Sequence, residues 1–348
     1  MSRLILSRFS LSRFSLSHRM LVRSMMLLLS AAALAAFAPR ARAQDDEGER
    51  QHKHSHSMGS DDPTTIDTTI PFQASGVADL RLQSGKITVT AWARPEARIH
   101  VTGDHVPVRF THEPGRLTLD SHGYRGRHDD DDGDGDDMDA DYTITVPVGT
   151  RVILHSNSGD LEVQGTRGEI EARSMTGDIK VDDVAHDATL ESLSGNMTVR
   201  NVHGDLHMRT VSGDADIEQA NGDVTFTSVS GHCDVSKSAA HNLHMESVSG
   251  DLAYGGTLDP AGTYDLHAHS GDVHMELPAD AGATVSLDSF SGEVTSDFQI
   301  TIQPRGDVGP GGQHLDATLG KGGARITVVT FSGDIQLLSA SHSGTHRR

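Results

Sequence analysis

The glycine of a Ser-Gly or Thr-Gly pair falls at positions 159, 177, 195, 213 and 231, four successive intervals of 18 residues. The series continues at 250, 271 and 292, and it ends at Gly333, beyond the Gly/Pro-rich stretch "QPRGDVGPGGQH". Gly168, His186, Gly204, Gly222 and His241 lie halfway between the early members, so each unit is two nine-residue phrases. A fixed period of this length marks an architecture in which each unit packs only on its neighbours. The stretch "SGKITV" at 84–89 is an earlier instance of the same phrase.

Within a phrase numbered from its glycine, positions 3 and 5 are apolar. After the Ser-Gly they are Leu161 and Val163, Ile179 and Val181, Met197 and Val199, Ala215 and Ile217, and Cys233 and Val235. The alternate phrases carry Ile170 and Ala172, Ala188 and Leu190, Leu206 and Met208, Val224 and Phe226, and Leu243 and Met245. Positions 4 and 6 are polar. Alternation with period 2 gives a short strand with one face inward, and Gly-Asp supplies the corner. Position 8 of the alternate phrase is apolar again at Met175, Leu193, Val211, Val229 and Val248, and is expected to point inward. The fold class expected is all-β: a parallel β-solenoid of nine or ten coils, with about 18 residues and two short strands per coil, and an irregular N-terminal β cap. Stacking would place Arg173, Glu191 and Arg209 in one outward column and Asp182, Arg200 and Glu218 in another, with alternating sign. The corner column Asp160, Asp178, Asn196, Asp214, His232, Asp251 and Asp272 brings like charges together, and the pattern alone offers no reason for it.

The chain around these repeats divides as follows. Residues 1–43 carry five arginines ahead of the apolar run "MMLLLSAAALAAFA" (25–38), then Ala41-Arg42-Ala43. This is the layout of a signal peptide, and the run is too short to span a bilayer. The duplication "SRFSLSRFSLS" within it makes Met20 or Met25 an alternative start. Removing the 43 residues takes away seven Arg and no acid, moving the formal charge from −20 to −27. A protein so acidic is not expected to bind nucleic acid or anionic lipid by general electrostatics, and no membrane span is expected once the signal is cleaved. Residues 44–65 read as a disordered polar leader, in which His52, His54 and His56 alternate but fix no metal geometry. Residues 66–157 form an N-terminal β region with "KITVTAW", "ARIHVTG" and "GRLTLDS" as strands and an acidic insert at 124–141. The repeats run over 158–338, and 339–348 read as a disordered tail.

At this point the phrases "SGDLEV", "TGDIKV", "SGDVHM" and "SGDIQL", the entry "YTITVPVGTRVILHSNSGD" and the exit "ATLGKGGARITVVTFSGDIQL" are similar to the bacterial putative-adhesin family of β-strand-repeat envelope proteins, itself largely a domain of unknown function. The resemblance covers roughly residues 70–340. It implies an exported β-solenoid and brings no catalytic residues. The acidic insert and the His-rich leader are not part of that pattern.

Function is weighed on the same residues. A polysaccharide-active β-helix enzyme needs acidic and basic groups converging in a groove built by long side loops. The coils from 159 to 250 carry almost no insertions, and the recurrent Asp suits a turn. A calcium-responsive envelope module is a further alternative. The corners lack the Gly-Gly-x-Gly-x-Asp of calcium β-rolls. Within the run from Asp129 to Asp141, however, Asp130, Asp132, Asp134, Gly135 and Asp141 match positions 1, 3, 5, 6 and 12 of a calcium loop, with Asp137 at the normally apolar eighth position. His207, His244 and His274 are expected outward as surface residues, and Cys233 inward as a small hydrophobe. A single cysteine excludes an intramolecular disulfide. Thr-x-Thr rows on successive coils, as an ice-binding face requires, are not the rule in the charged outward columns. The reading is a non-catalytic structural or adhesive module of the cell envelope, periplasmic or at the cell surface. Its partner is an envelope glycan or protein, and no cofactor, metal or catalytic residue is assigned.

Overall fold

The computed structural model describes residues 64–103, 108–121, 139–298 and 312–340. All fall within one unit, Gly48–Arg348. They form 24 strands and no helix. The signal segment, the His tract and most of the acidic insert lie outside the described residues.

The regular part stacks as the period requires. On one wall β8 (Ile170–Thr176), β10 (Ala188–Ser194), β12 (Leu206–Ser212), β14 (Val224–Ser230) and β16 (Leu243–Ser249) pair in parallel, with Glu171 beside Thr189 and Thr189 beside His207. On the other wall β9 (Ile179–Val184), β11 (Met197–Val202), β13 (Ala215–Ala220) and β15 (Cys233–Ser238) do the same, with Arg200 between Asp182 and Glu218. β7 (Arg151–Gln164) bends around the corner and contributes to both walls, pairing with β8 and β9. The apolar residues at positions 3 and 5 are buried in every one of these coils.

The expectation for position 8 fails in the alternate phrase. Met175 is 45% exposed, and Leu193, Val211, Val229 and Val248 are half-exposed. The buried residue is the one before: Ser174, Ser192, Thr210, Ser228 and Ser247. The reason is that alternation runs on unbroken from position 3 through position 7 of that phrase. In the Ser-Gly phrase it is reset. Gly165, Asp183, Asn201, Gln219 and Lys237 all have positive φ (76°, 56°, 52°, 61° and 50°), and this left-handed residue turns the next side chain inward. Thr166, Val184, Val202, Ala220 and Ser238 are accordingly buried.

The corner glycines answer to two demands at once. Gly177, Gly195, Gly213, Gly231 and Gly250 have φ between 126° and 158°, and a Cβ on any of them would collide with the carbonyl of the glycine one coil below. Only a residue without Cβ fits there.

Both ends depart from chain order. At the C-terminal end β18 (Thr263–Ser270) and β19 (Val273–Pro278) do not pair with the next strands in sequence. They pair with β23 (Ala324–Ser332) and β24 (Ile335–Ala340), which lie between them and β20 (Ala283–Ser289) and β21 (Val294–Ser296). The glycine column therefore runs 250, 271, 333, 292. β22 (Gln313–Leu319) closes the outer edge, antiparallel to β20. β17 (Leu252–Gly256) lies between β15 and β19, and the longer steps that follow Gly250 leave room for Tyr254 and Tyr264. Both rings are buried, and their hydroxyls donate to Thr257 O (2.8 Å) and Ala240 O (2.7 Å).

At the N-terminal end β2 (Val77–Trp92) is a full coil on β7, with Gly85 opposite Gly159. Outside it lie β5 (Arg116–Asp120) and β6 (Ala140–Pro147), parallel to β2. β1 (Thr64–Pro71), β3 (Glu96–Gly103) and β4 (Arg109–Glu113) finish the edges antiparallel. Asp79 is buried beneath this cap and held by Arg116 (2.7 Å) and Arg81 (3.2 Å). Antiparallel closing strands at both ends keep the parallel ladder from presenting a long bare edge.

Candidate functional site

The recurrent aspartates are the most regular acidic groups of the repeats. Each corner carboxylate accepts a hydrogen bond from the backbone of the coil above. Asp160 Oδ1 takes Asp178 N–H (3.0 Å), Asp178 takes Asn196 N–H (2.8 Å), and Asp214 takes His232 N–H (2.9 Å). Asn196 does the same for Asp214 N–H (3.1 Å), and His232 Nδ1 for Asp251 N–H (3.1 Å). The ladder continues through Asp251, Asp272 and Asp334. On the opposite corner Asp187 accepts from Asp205 N–H and Asp205 from Asp223 N–H. The column that puts like charges together is thus a second, side-chain rail parallel to the sheet bonds. Any acceptor of that reach serves, which is why Asn and His substitute in it. Bonds of this kind to a charged acceptor are worth about 1.5–3 kcal/mol each, less where solvent screens them.

The outward walls are laced by charge across coils. Arg173 contacts Glu191 (2.8 Å) and Glu171 (3.0 Å), and Glu218 meets Lys237 (2.6 Å) and Arg200 (3.4 Å). Glu162 bridges Lys86 and Lys180 at 3.0 and 3.4 Å. Its carboxyl lies below the usual range, first through the Lys86 hydrogen bond. His207 is exposed, and His244 and His274 are partly exposed on the outward faces. His244 lies 3.2 Å from Glu246, whose hydrogen bond raises its titration range, and its ring is near that of His267. Cys233 is buried, and burial, with Asp234 and Asp216 nearby, pushes its thiol far above the ordinary range. Such a thiol is inert as a nucleophile.

Of the acidic insert, Asp139 and Asp141 are described and Asp129 to Asp137 are not. Asp139 accepts a hydrogen bond from Ser84, and Asp141 is exposed on β6 opposite Lys86. Among the described residues no cluster of three or more His, Cys, Asp or Glu side chains is placed to hold a metal ion.

Two surfaces absent from the sequence reading emerge. One is a shallow depression of about 300 Å³ on the β1–β3–β6 sheet, lined by Asp67, Arg98, His100, Thr143 and Thr145. It joins strands too far apart in sequence to be recognised as neighbours. The other follows directly from the corrected phase. Met175, Leu193, Val211, Val229 and Val248 form one outward apolar column along a corner. Since Ala268 pairs with Thr330 and Ser289 with Thr330, the column continues through His269, Phe331 and Phe290. His269 stacks on Phe331 at 4.9 Å and Phe331 on Phe290 at 4.8 Å, with the two Phe rings 42% and 48% exposed. Eight coils at about 4.8 Å each make a line of about 34 Å. The large hydrophobics exposed among the described residues, Met175, Phe290 and Phe331, all lie on this line.

A family model described as Toastrack DUF4097 matches residues 83–338. Among solved structures, a "putative cell adhesion protein" from Clostridium sporogenes aligns over 79% of this chain and 100% of its own, at 7% identity and a TM-score of 0.22. A "Putative lipid binding protein" from Parabacteroides distasonis aligns over 80% of this chain and 98% of its own, at 11% identity and a TM-score of 0.43. No curated protein matches the chain.

Proposed function

The chain belongs to the Toastrack DUF4097 family, and on that premise we propose that it is an exported, non-catalytic β-solenoid that acts as a structural or adhesive module of the bacterial cell envelope. One observation supports this above the rest. The carboxylates that recur in every coil are engaged by backbone N–H groups, while an apolar corner column from Met175 to Phe290 is left facing outward. The first gives the recurrent acid a structural role in stacking the coils. The second gives a rigid scaffold a line along which to hold an envelope glycan or protein. Export rests on the basic leader, the apolar run 25–38 and the Ala41-Arg42-Ala43 pattern.

The test is retention of envelope fractions by the mature protein immobilised on a resin, with and without calcium. Wild type is expected to retain a partner, and Phe331→Ser with Phe290→Ser to lose it while keeping the wild-type circular dichroism. Retention of nothing under either condition refutes the adhesive reading. Hydrolysis or elimination of a polysaccharide in the same fractions refutes the non-catalytic one.

A further inference from the structure

The closing strand β22 is fastened to β20 by one imidazole held between two carboxylates. His314 Nδ1 lies 2.5 Å from Asp288 Oδ1, and His314 Nε2 lies 3.1 Å from Asp316 Oδ2. Asp288 is the direct cross-strand partner of His314, and Ser286 that of Asp316. The Ser286 hydroxyl donates to Asp316 at 2.9 Å, so the second carboxylate is itself held in place. His314 is only 17% exposed. A neutral imidazole has one N–H and one lone pair, and so serves one carboxylate and repels the other. Only the imidazolium attracts both: Nδ1 hydrogen-bonds to Asp288, and Nε2, which makes no hydrogen bond, is held near Asp316 by charge.

We propose that His314, Asp288 and Asp316 form a pH-dependent latch that holds the C-terminal closing strand in place while the imidazole is charged and releases it when the proton leaves. Among the described residues, the elements packed against the imidazole place no second cation beside the two carboxylates. From β20 the facing groups are Asp288, Ser286 and Thr284; β21 contributes Val294, Thr295 and Ser296. One strand further in, β23 carries Thr327 and Val329, and Arg325 sits beside Thr284. The direction of titration agrees. Burial alone would lower it, but the Asp288 hydrogen bond and the charges of Asp288 and Asp316 outweigh burial and carry the imidazole above its ordinary range. A group raised in the folded state contributes fully below its unfolded value and loses that contribution as pH rises through the folded one. The latch therefore stays closed to a higher pH than an ordinary imidazole would allow and opens as pH rises through that raised range. Opening would bare the outer edge of β20, a row of unpaired backbone groups suited to strand addition.

The test is hydrogen exchange of the full chain at several pH values, corrected for the intrinsic pH dependence of amide exchange. Protection of Gln313–Leu319 is expected to fall tenfold or more between pH 6 and pH 9, with Leu206–Ser212 unchanged. In His314→Gln, which cannot charge, protection of β22 should be low at pH 6 and flat with pH. Should that variant fail to fold, Asp316→Asn and the imidazole ¹⁵N shifts of the wild type decide. The shifts should show both nitrogens protonated at pH 6. Parallel change in β22 and β12, a wild-type pH profile in His314→Gln, or a neutral imidazole at pH 6 overturns the proposal.

Discussion

Replacing Gly213 by alanine separates the two demands made on a corner glycine. Its φ is 141°, a conformation that costs a residue with a Cβ about 1–3 kcal/mol. The added Cβ would also stand 2.8 Å from the carbonyl carbon of Gly195, and closer still to its oxygen. Relief requires the two coils to part at the corner, which weakens Gly195 N–H to Ser212 O (3.2 Å) and Asp214 N–H to Asn196 Oδ1 (3.1 Å). At about 1 kcal/mol for each bond, the expected loss is about 3–5 kcal/mol in all. Two controls isolate the parts. Gly165 has φ 76° and nothing within 4 Å of its Cβ position, so Gly165→Ala carries only a backbone cost of about 1–2 kcal/mol. Gly222 lacks the positive φ, but its Cβ would be 2.6 Å from the Gly204 carbonyl carbon, so Gly222→Ala carries only the crowding. Urea unfolding followed by circular dichroism should rank Gly213→Ala as the most damaging. Equal midpoints for Gly213→Ala and Gly165→Ala would refute the claim that the coils touch at these corners.

Other outcomes follow from the corrected inward and outward faces. The Ser192 hydroxyl is buried without a hydrogen-bond partner, so Ser192→Ala should raise the urea midpoint, by about 1–2 kcal/mol. Ser289→Ala in the same column should lower it by about 1 kcal/mol, because that hydroxyl donates to Gly333 O at 3.1 Å. Gln219→Gly should gain about 0.5–1 kcal/mol by removing a Cβ from a residue at φ 61°, again read from the urea midpoint. Val211→Asp should be tolerated while Thr210→Asp should abolish the cooperative transition, since Thr210 is the inward residue. His155 titrates below its ordinary range, first through burial and then through Arg173 and Arg81. The unfolded chain therefore takes up its proton first, and stability drains as pH falls through the ordinary His range. His155→Gln should move the acid midpoint of the circular dichroism signal to lower pH.

The walls of the solenoid are legible in the sequence because burial on a strand has a period of 2 and the coils have a period of 18. Together these place Leu190 inward and Arg173 beside Glu191 before any coordinate is known. Three things were not legible. The left-handed residue at Asp183, Asn201, Gln219 and Lys237 has no common side chain, so nothing marks where alternation is reset. The valines at 211, 229 and 248 read as core by their chemistry, and only backbone phase shows that they face out. The order of coils at the ends, with Gly333 between Gly271 and Gly292, depends on contacts that a one-dimensional period cannot encode. Of the candidate site, the corner aspartates were visible as a column, but their role became clear only when each carboxylate met the next coil's N–H. The Phe290–Phe331 pair was invisible for the same reason as the coil order, since the two lie in coils adjacent in space but reversed in sequence.

Coils of about eighteen residues stack in parallel, with the last two exchanged. Spin labels on the outward column test it directly, using Thr189 as the fixed site and Thr225, Asp265, Thr327 or Ser286 as the second, with Cys233 replaced by serine. At about 4.8 Å per coil, the backbone separations should be about 10, 19, 24 and 29 Å, so that residue 286 lies farther away than residue 327. Distances that follow chain order, or that fail to grow by even steps, would contradict it.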